Sequence, residues 1–190
     1  MSCCPHCGHP LIRRWPEGDS RERDVCSSCQ AVHYENPKVL VACLIYWRDR
    51  VVLCRRALEP AKGHWYPPTG FVEIGETLEE AAVRELKEET GLELSADCMK
   101  LYGVASLPHL GQVYIAYRSE LSSEPNPTPG QESLEVRLFP ESELPFPQVA
   151  FNDSSNGFLR NFFRRLRDSN FTIQSVAIGR DPLAADRTNK

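Results

Sequence analysis

No apolar run in this sequence is long enough to cross a bilayer. The longest, Val39–Trp47, covers under half of the roughly 20 residues a spanning helix needs. The opening stretch Met1-Ser2-Cys3-Cys4-Pro5 also lacks the apolar segment of a secretory signal. A cytoplasmic protein with no membrane partner is therefore expected. Positive charge is scarce as well: 22 Lys and Arg against 26 Asp and Glu leave a net −4. That balance provides no basic field for nucleic acid, so a polyanionic ligand has to be met locally, by a metal or by a few arginines. Internal repeats are absent, and 190 residues suffice for one full domain plus a small module rather than two large cores.

Cysteine is plentiful but unevenly spread. Five of the eight lie within the first 29 residues, whereas Cys43, Cys54 and Cys98 are scattered through apolar stretches and read as small buried hydrophobes. Residues 1–35 contain almost no periodic apolar pattern and cannot build a core unaided. Cys4-Pro5-His6-Cys7 and Cys26-Ser27-Ser28-Cys29 supply two C-x2-C pairs, the spacing of a zinc ribbon in which two knuckles share one tetrahedral ion. Cys4, Cys7, Cys26 and Cys29 are thus the expected ligands of a structural Zn²⁺. Such a site is closed by its four ligands, so it supplies stability rather than catalysis. The module carries four arginines against five acids, which argues against a nucleic-acid arm.

From Lys38 the character changes. Val39–Trp47, a turn at Asp49-Arg50 and Val51–Cys54 read as a β-hairpin that opens a second domain, expected over 36–167. Pro60, Gly63, Pro67, Pro68 and Gly70 break any regular element between Glu59 and Gly70. Thr77–Thr90 is the strongest helix signal: Thr77 and Glu80 form a capping box, Leu78, Ala81, Ala82 and Leu86 share a face, and Gly91 supplies the stop. Strands are expected at 112–121 and 134–139, separated by an exposed loop with Pro125, Pro127, Pro129 and Gly130. A second helix is expected over about 154–167, with Phe158, Leu159, Phe162, Phe163 and Leu166 as its buried stripe. Residues 168–190 read as a polar tail. Elements mixed in this order define an α/β fold.

The first helix carries the chemistry. Glu85, Glu88 and Glu89 stand at i, i+3 and i+4, so three carboxylates crowd one face and repel one another. A hard divalent cation with oxygen ligands compensates such a cluster. A merely solvated acidic helix, with Arg84 and Lys87 as neutralising neighbours, would leave the bracketing Gly70 and Gly91 unexplained.

Residues 70–92 match G-x5-E-x7-R-E-U-x-E-E-x-G-U (U apolar) at every fixed position: Gly70, Glu76, Arg84, Glu85, Leu86, Glu88, Glu89, Gly91 and Leu92. The chain thereby resembles the Nudix hydrolases. The resemblance implies an α/β/α sandwich with a mixed sheet, here preceded by the zinc ribbon, and a loop-helix-loop that binds Mg²⁺ or Mn²⁺. It implies Glu85 and Glu89 as principal ligands, a contribution from the Gly70 carbonyl, and Glu88 as ligand or general base. Arg84 and Glu76 would orient those ligands through a salt bridge. The approach Pro67-Pro68-Thr69-Gly70 differs from the Leu-Pro-Gly-Gly or Leu-Pro-Ala-Gly common in the family, which predicts altered substrate fit with the ligand positions intact.

The implied reaction is hydrolysis of the pyrophosphate bond of a nucleoside diphosphate joined to another moiety. One ribbon-bearing branch, the NADH pyrophosphatases that also remove NAD caps from RNA, has an S-Q-P-W-P-F-P-x-S signature soon after the motif. Here only Pro145-Phe146-Pro147-Gln148 echoes it, more than fifty residues beyond Leu92. Gly18-Asp19, the stretch Cys26–Lys38 and the stretch Cys54–Trp65 resemble instead a branch whose plant relatives include FAD and ADP-ribose pyrophosphatases. Pro108, sixteen residues after the motif, resembles a marker of ADP-ribose enzymes. Arg55 and Arg56 are candidate phosphate contacts, of which an alternating strand sends only one to the cleft. Trp65, with Tyr66, is a candidate wall for a flat ring, with core packing the equal alternative for Trp65, and Glu132 and Glu135 are alternative bases. A small-molecule nucleotide is the expected partner, and a homodimer is compatible with the family. The contrasting reading is a non-catalytic module that senses a nucleotide.

Overall fold

The computed structural model describes residues 3–150 and 152–177, with the backbone alone for 152–157. The chain divides into two compact units, residues 1–37 and 38–190.

In the first unit, β1 (Leu11–Arg14), β2 (Arg23–Cys26) and β3 (Val32–His33) form an antiparallel sheet in that order. Its buried apolar residues among those described are Cys4, Val25 and Cys26. Two of these three are cysteines, so burial of apolar surface contributes little here, as the sequence predicts.

The second unit is built on β4 (Lys38–Trp47), β5 (Arg50–Arg56), β6 (Trp65–Tyr66), β7 (Thr69–Phe71), β8 (Lys100–Leu107), β9 (Gln112–Glu120), β10 (Ser133–Pro140) and β11 (Gln174–Ala177). They form one sheet in the order β10-β5-β4-β9-β8-β11, with β6 paired to β5 and β7 to β4. β4–β9 and β8–β11 are parallel and the other pairs antiparallel, so the sheet is mixed. Helix α1 (Leu78–Thr90) packs Ala81, Ala82 and Leu86 against Val41, Cys43 and Ile45 on one face. Helix α2 (Asn152–Arg167) packs Leu159, Phe162 and Phe163 against Leu44, Tyr46 and Tyr102 on the other. This is the expected α/β/α sandwich. The alternation of β4 explains it, since odd and even positions of a strand face opposite sides and both sides are apolar here.

β4 and β5 pair directly only at Tyr46–Val51 and Trp47–Arg50. Beyond that they diverge, and the proline-rich segment enters the split. β6 runs along β5, β7 along β4, and the Pro68 carbonyl accepts the Cys43 amide at 2.8 Å. This opening brings the loop before α1 up to the helix. Part of the stretch read as a polar tail, Gln174–Ala177, adds a parallel edge strand to β8 instead, while residues 178–190 lie outside those described.

Candidate metal and phosphate site

The glutamates of α1 are placed by both ends of the helix. At its start the Thr77 side chain accepts from the Glu80 amide and the Glu80 carboxylate accepts from the Thr77 amide, the predicted capping box. Tyr117 of β9 donates to Glu79 at 2.6 Å and fixes the first turn against the sheet. At the other end Gly91 adopts φ 67°, the left-handed conformation glycine tolerates best, and returns its amide to the Lys87 carbonyl.

Within this frame the three glutamates have different surroundings. Glu89 is 5% exposed. Its carboxylate accepts the Tyr66 hydroxyl at 2.6 Å and the Thr69 amide at 3.1 Å. Burial raises its pKa to about 8; those two hydrogen bonds pull the other way, and the charges of Glu85 and Glu132 add to the rise. Glu85 is pushed up too, first by burial and then by Glu88 and Glu132, against the opposing pull of Arg84. Its carboxylate occupies the space a Cβ on residue 70 would fill, so any side chain there would displace it. Glu88 is exposed and lies 3.2 Å from Arg84.

Arg84 ties these groups together. It donates from Nε and Nη2 to the two oxygens of Glu76 at 2.6 and 3.0 Å, from Nη1 to Glu85 at 2.8 Å, and from Nη2 to the Phe71 carbonyl at 2.9 Å. The bidentate Arg84–Glu76 pair holds Glu76 below the usual carboxylate range, and Glu76 also accepts the Glu73 amide. With every direction of its guanidinium engaged, Arg84 orients neighbours rather than reaching outward.

The donors fit a hard divalent cation. Two partly desolvated carboxylates, Glu85 and Glu89, are raised by burial and by neighbouring carboxylates, and Glu85 occupies the room left by the missing side chain of Gly70. Among the described residues the one group of three or more ligand atoms within 4.8 Å of one another is Cys4, Cys7, Cys26 and Cys29, which fits a tetrahedral Zn²⁺. Cys7 and Cys26 sulfurs lie 3.4 Å apart. Desolvation opposes ionisation of Cys26, yet the Ser28 and Cys29 amides donating to its sulfur hold the thiol below its usual range, ready to bind metal.

The other candidates separate. Arg55 donates to the Gly63 carbonyl and lies 3.7 Å from Glu135. Arg56 stacks over the ring of Tyr66, whose hydroxyl donates to Glu89, and its Nε donates to the Pro60 carbonyl at 2.9 Å. Trp65 is not a wall for a ligand: it is 5% exposed and edge-on to Phe139 in the α2-side core. β5 alternation explains this, because Trp65 pairs with Arg55 and Tyr66 with Cys54, which puts the two rings on opposite faces. Thr69 approaches Glu89 with its amide while its hydroxyl turns back to the Pro67 carbonyl. A feature not read from the sequence is an apolar recess on the α2 face, floored by Ala42, Ala105 and Ala116 and walled by Leu107, Tyr114 and Phe158. Small residues on three neighbouring strands were its signal, but the strand pairing that sets Ala42 against Ala116 and Ala105 against Tyr114 was not readable.

Among the described residues no helix is long and apolar enough to cross a membrane. The NUDIX domain family matches residues 36–162 and the Nudix N-terminal family residues 3–35. An ADP-ribose pyrophosphatase of Methanocaldococcus jannaschii is 47% identical over 75 residues, 40% of this chain and 43% of that protein. An NAD-capped RNA hydrolase NudC of Edwardsiella ictaluri is 37% identical over 93 residues, 48% of this chain and 34% of that protein. The chain thus spans well under half the length of these curated relatives. A NUDIX hydrolase structure from Nitrosomonas europaea superimposes with TM-score 0.88 at 39% identity, covering 95% of this chain and 100% of that one. With its motif residues gathered on α1 and the loop before it, and with both families matched in register, this chain belongs to the Nudix family and carries the Nudix N-terminal zinc ribbon.

Proposed function

We propose that the protein is a divalent-metal-dependent hydrolase of the pyrophosphate bond in a nucleoside diphosphate derivative, with ADP-ribose and FAD preferred over NADH. The observation that carries this reading is the pairing of buried Glu89 with Glu85 against Gly70, an arrangement costly without a cation and of no use to a purely structural helix. Glu85 and Glu89, with the Gly70 carbonyl, would hold Mg²⁺ or Mn²⁺. The cation would screen the pyrophosphate charge and acidify the attacking water. Tyr66 and the Thr69 amide hold Glu89 in place, and Arg84 holds Glu85. Glu88, exposed at the rim, or Glu132 takes the proton of the attacking water. Arg56 contacts phosphate.

The domains in this reading are a zinc-stabilised ribbon over 1–35 and a catalytic domain over 36–167, acting in the cytoplasm as a monomer or homodimer. The NudC likeness favours a second reading, hydrolysis of NADH or of an NAD cap on RNA. The test is kcat/KM for ADP-ribose, FAD, NADH and NAD-capped RNA at one Mg²⁺ concentration, with products identified. Faster turnover of NADH or capped RNA selects the second reading, and no turnover of any selects the nucleotide-sensing module.

A further inference from the structure

The segment carrying Pro125, Pro127, Pro129 and Gly130 is not simply an exposed loop. Its second half is fastened to the last turn of α1: Thr128 donates its amide to the Thr90 carbonyl at 2.8 Å, and Gly130 donates to the Glu89 carbonyl at 3.1 Å. Carbonyls in a helix's final turn lack partners within the helix, so this segment supplies them. Pro127 and Pro129 have no N–H to give, and the donors between and after them both point at the helix. The Thr128 side chain seats against Gly91. Gly130 passes so close to the Glu88 carbonyl that any Cβ there would overlap it.

Immediately beyond, Ser133 donates to the Gly130 carbonyl at 3.1 Å and the Ala57 amide to the Glu132 carbonyl at 2.9 Å. The backbone of Glu132 is therefore held between the end of α1 and the end of β5. Because Gly130 donates to the carbonyl of Glu89 itself, Glu132 follows only two residues after a fixed contact with the helix turn that carries the glutamates. We propose that Thr128–Gly130 is a latch that sets Glu132 in register with the carboxylates of α1, which makes Gly130 a positioning residue of the metal site. The inference rests on the pyrophosphatase reading above. Three prolines limit the freedom of the unlatched loop, so closing it costs less than closing a flexible one.

The latch is tested with Gly130→Ala, Glu132→Gln and the double variant. For Gly130→Ala, kcat on ADP-ribose should fall about tenfold or more with KM within about twofold, because the latch touches no substrate. The double variant should be no slower than Glu132→Gln alone, the sign of two residues acting through one interaction. Calorimetric titration with Mg²⁺, which needs no turnover, should show binding weakened at least about threefold in Gly130→Ala. Should Gly130→Ala not fold, Thr128→Gly, which introduces no clash, should give a smaller fall of the same kind. Wild-type kcat and Mg²⁺ affinity in Gly130→Ala, or in Thr128→Gly where it stands in, or additive losses in the double variant, would overturn the latch. A wild-type protein that binds Mg²⁺ but turns over nothing would refute the pyrophosphatase reading instead, leaving the latch to be judged by the titration.

Discussion

Replacing Glu89 by Gln should make the metal-free protein more stable, and increasingly so as pH rises. The carboxyl titrates near 8 in the folded chain against an ordinary 4.5. A group that holds its proton more tightly folded than unfolded penalises the fold once the unfolded form has ionised. The penalty is absent below about pH 4.5 and grows through the window up to about 8. Each pH unit in that window is worth about 1.4 kcal/mol, so moving from pH 5 to 7.5 costs the wild type at most about 3 kcal/mol. Partial relaxation around Glu85 brings the expected difference to about 2 kcal/mol, or roughly 4–8 °C in Tm for a chain of this size. The amide preserves the local bonding: its oxygen accepts the Thr69 amide and its nitrogen donates to the Tyr66 hydroxyl oxygen, so only the charge is lost. The measurement is thermal unfolding of both proteins at pH 5 and 7.5 without added Mg²⁺. No chelator is used, because it would also strip the cysteine cluster. Adding Mg²⁺ at pH 7.5 should then raise the wild-type Tm and leave the variant unmoved. A Tm gap between the two proteins that is the same at both pH values would refute the buried-charge argument.

Cys26→Ser should reduce zinc from about one ion per chain to a small fraction, and speed amide exchange in residues 3–37 while sparing the Nudix unit, as elemental analysis and exchange mass spectrometry would show. Gly70→Ala drives a methyl into the Glu85 carboxylate, so Mg²⁺ affinity and kcat should each fall by at least about tenfold, with Tm lowered by only a few degrees.

What could be read from the chain alone follows from the range of each signal. The capping box, the Gly91 stop and the i, i+3, i+4 glutamates are local, and α1 forms with both caps as expected. The C-x2-C spacings were equally local, and the four sulfurs lie within 4.8 Å of one another. β8 was missed because Gly103 interrupts its alternation with a bulge, and β11 because all four of its residues are exposed at an edge. Whether Trp65 faces a cleft or the core was not readable, for a different reason. In a two-residue strand, which face a side chain takes depends on the partner's register, and register is a long-range property.

The same distinction governs the carboxylates. Their spacing announces repulsion, but spacing alone treats Glu85, Glu88 and Glu89 alike. Helical phase turns Glu88 outward, where solvent and Arg84 offset its charge, and turns Glu89 toward Tyr66 in the split between β4 and β5. That split exists because the breaker-rich segment, unable to form a long strand, enters between the diverging arms of the hairpin. The prolines that looked like a mere gap in regular structure thus create the opening in which the most buried of the three glutamates sits. Moving Pro67-Pro68 away from β4 would let water reach Glu89 and return its acidity toward that of an ordinary carboxylate. Lengthening the chain by one residue between Tyr66 and Thr69, which displaces the Cys43–Pro68 backbone contact, should therefore abolish the pH-dependent Tm gap between proteins with and without the Glu89→Gln substitution. Persistence of the gap in the lengthened chain would show that the burial of Glu89 comes from α1 packing alone.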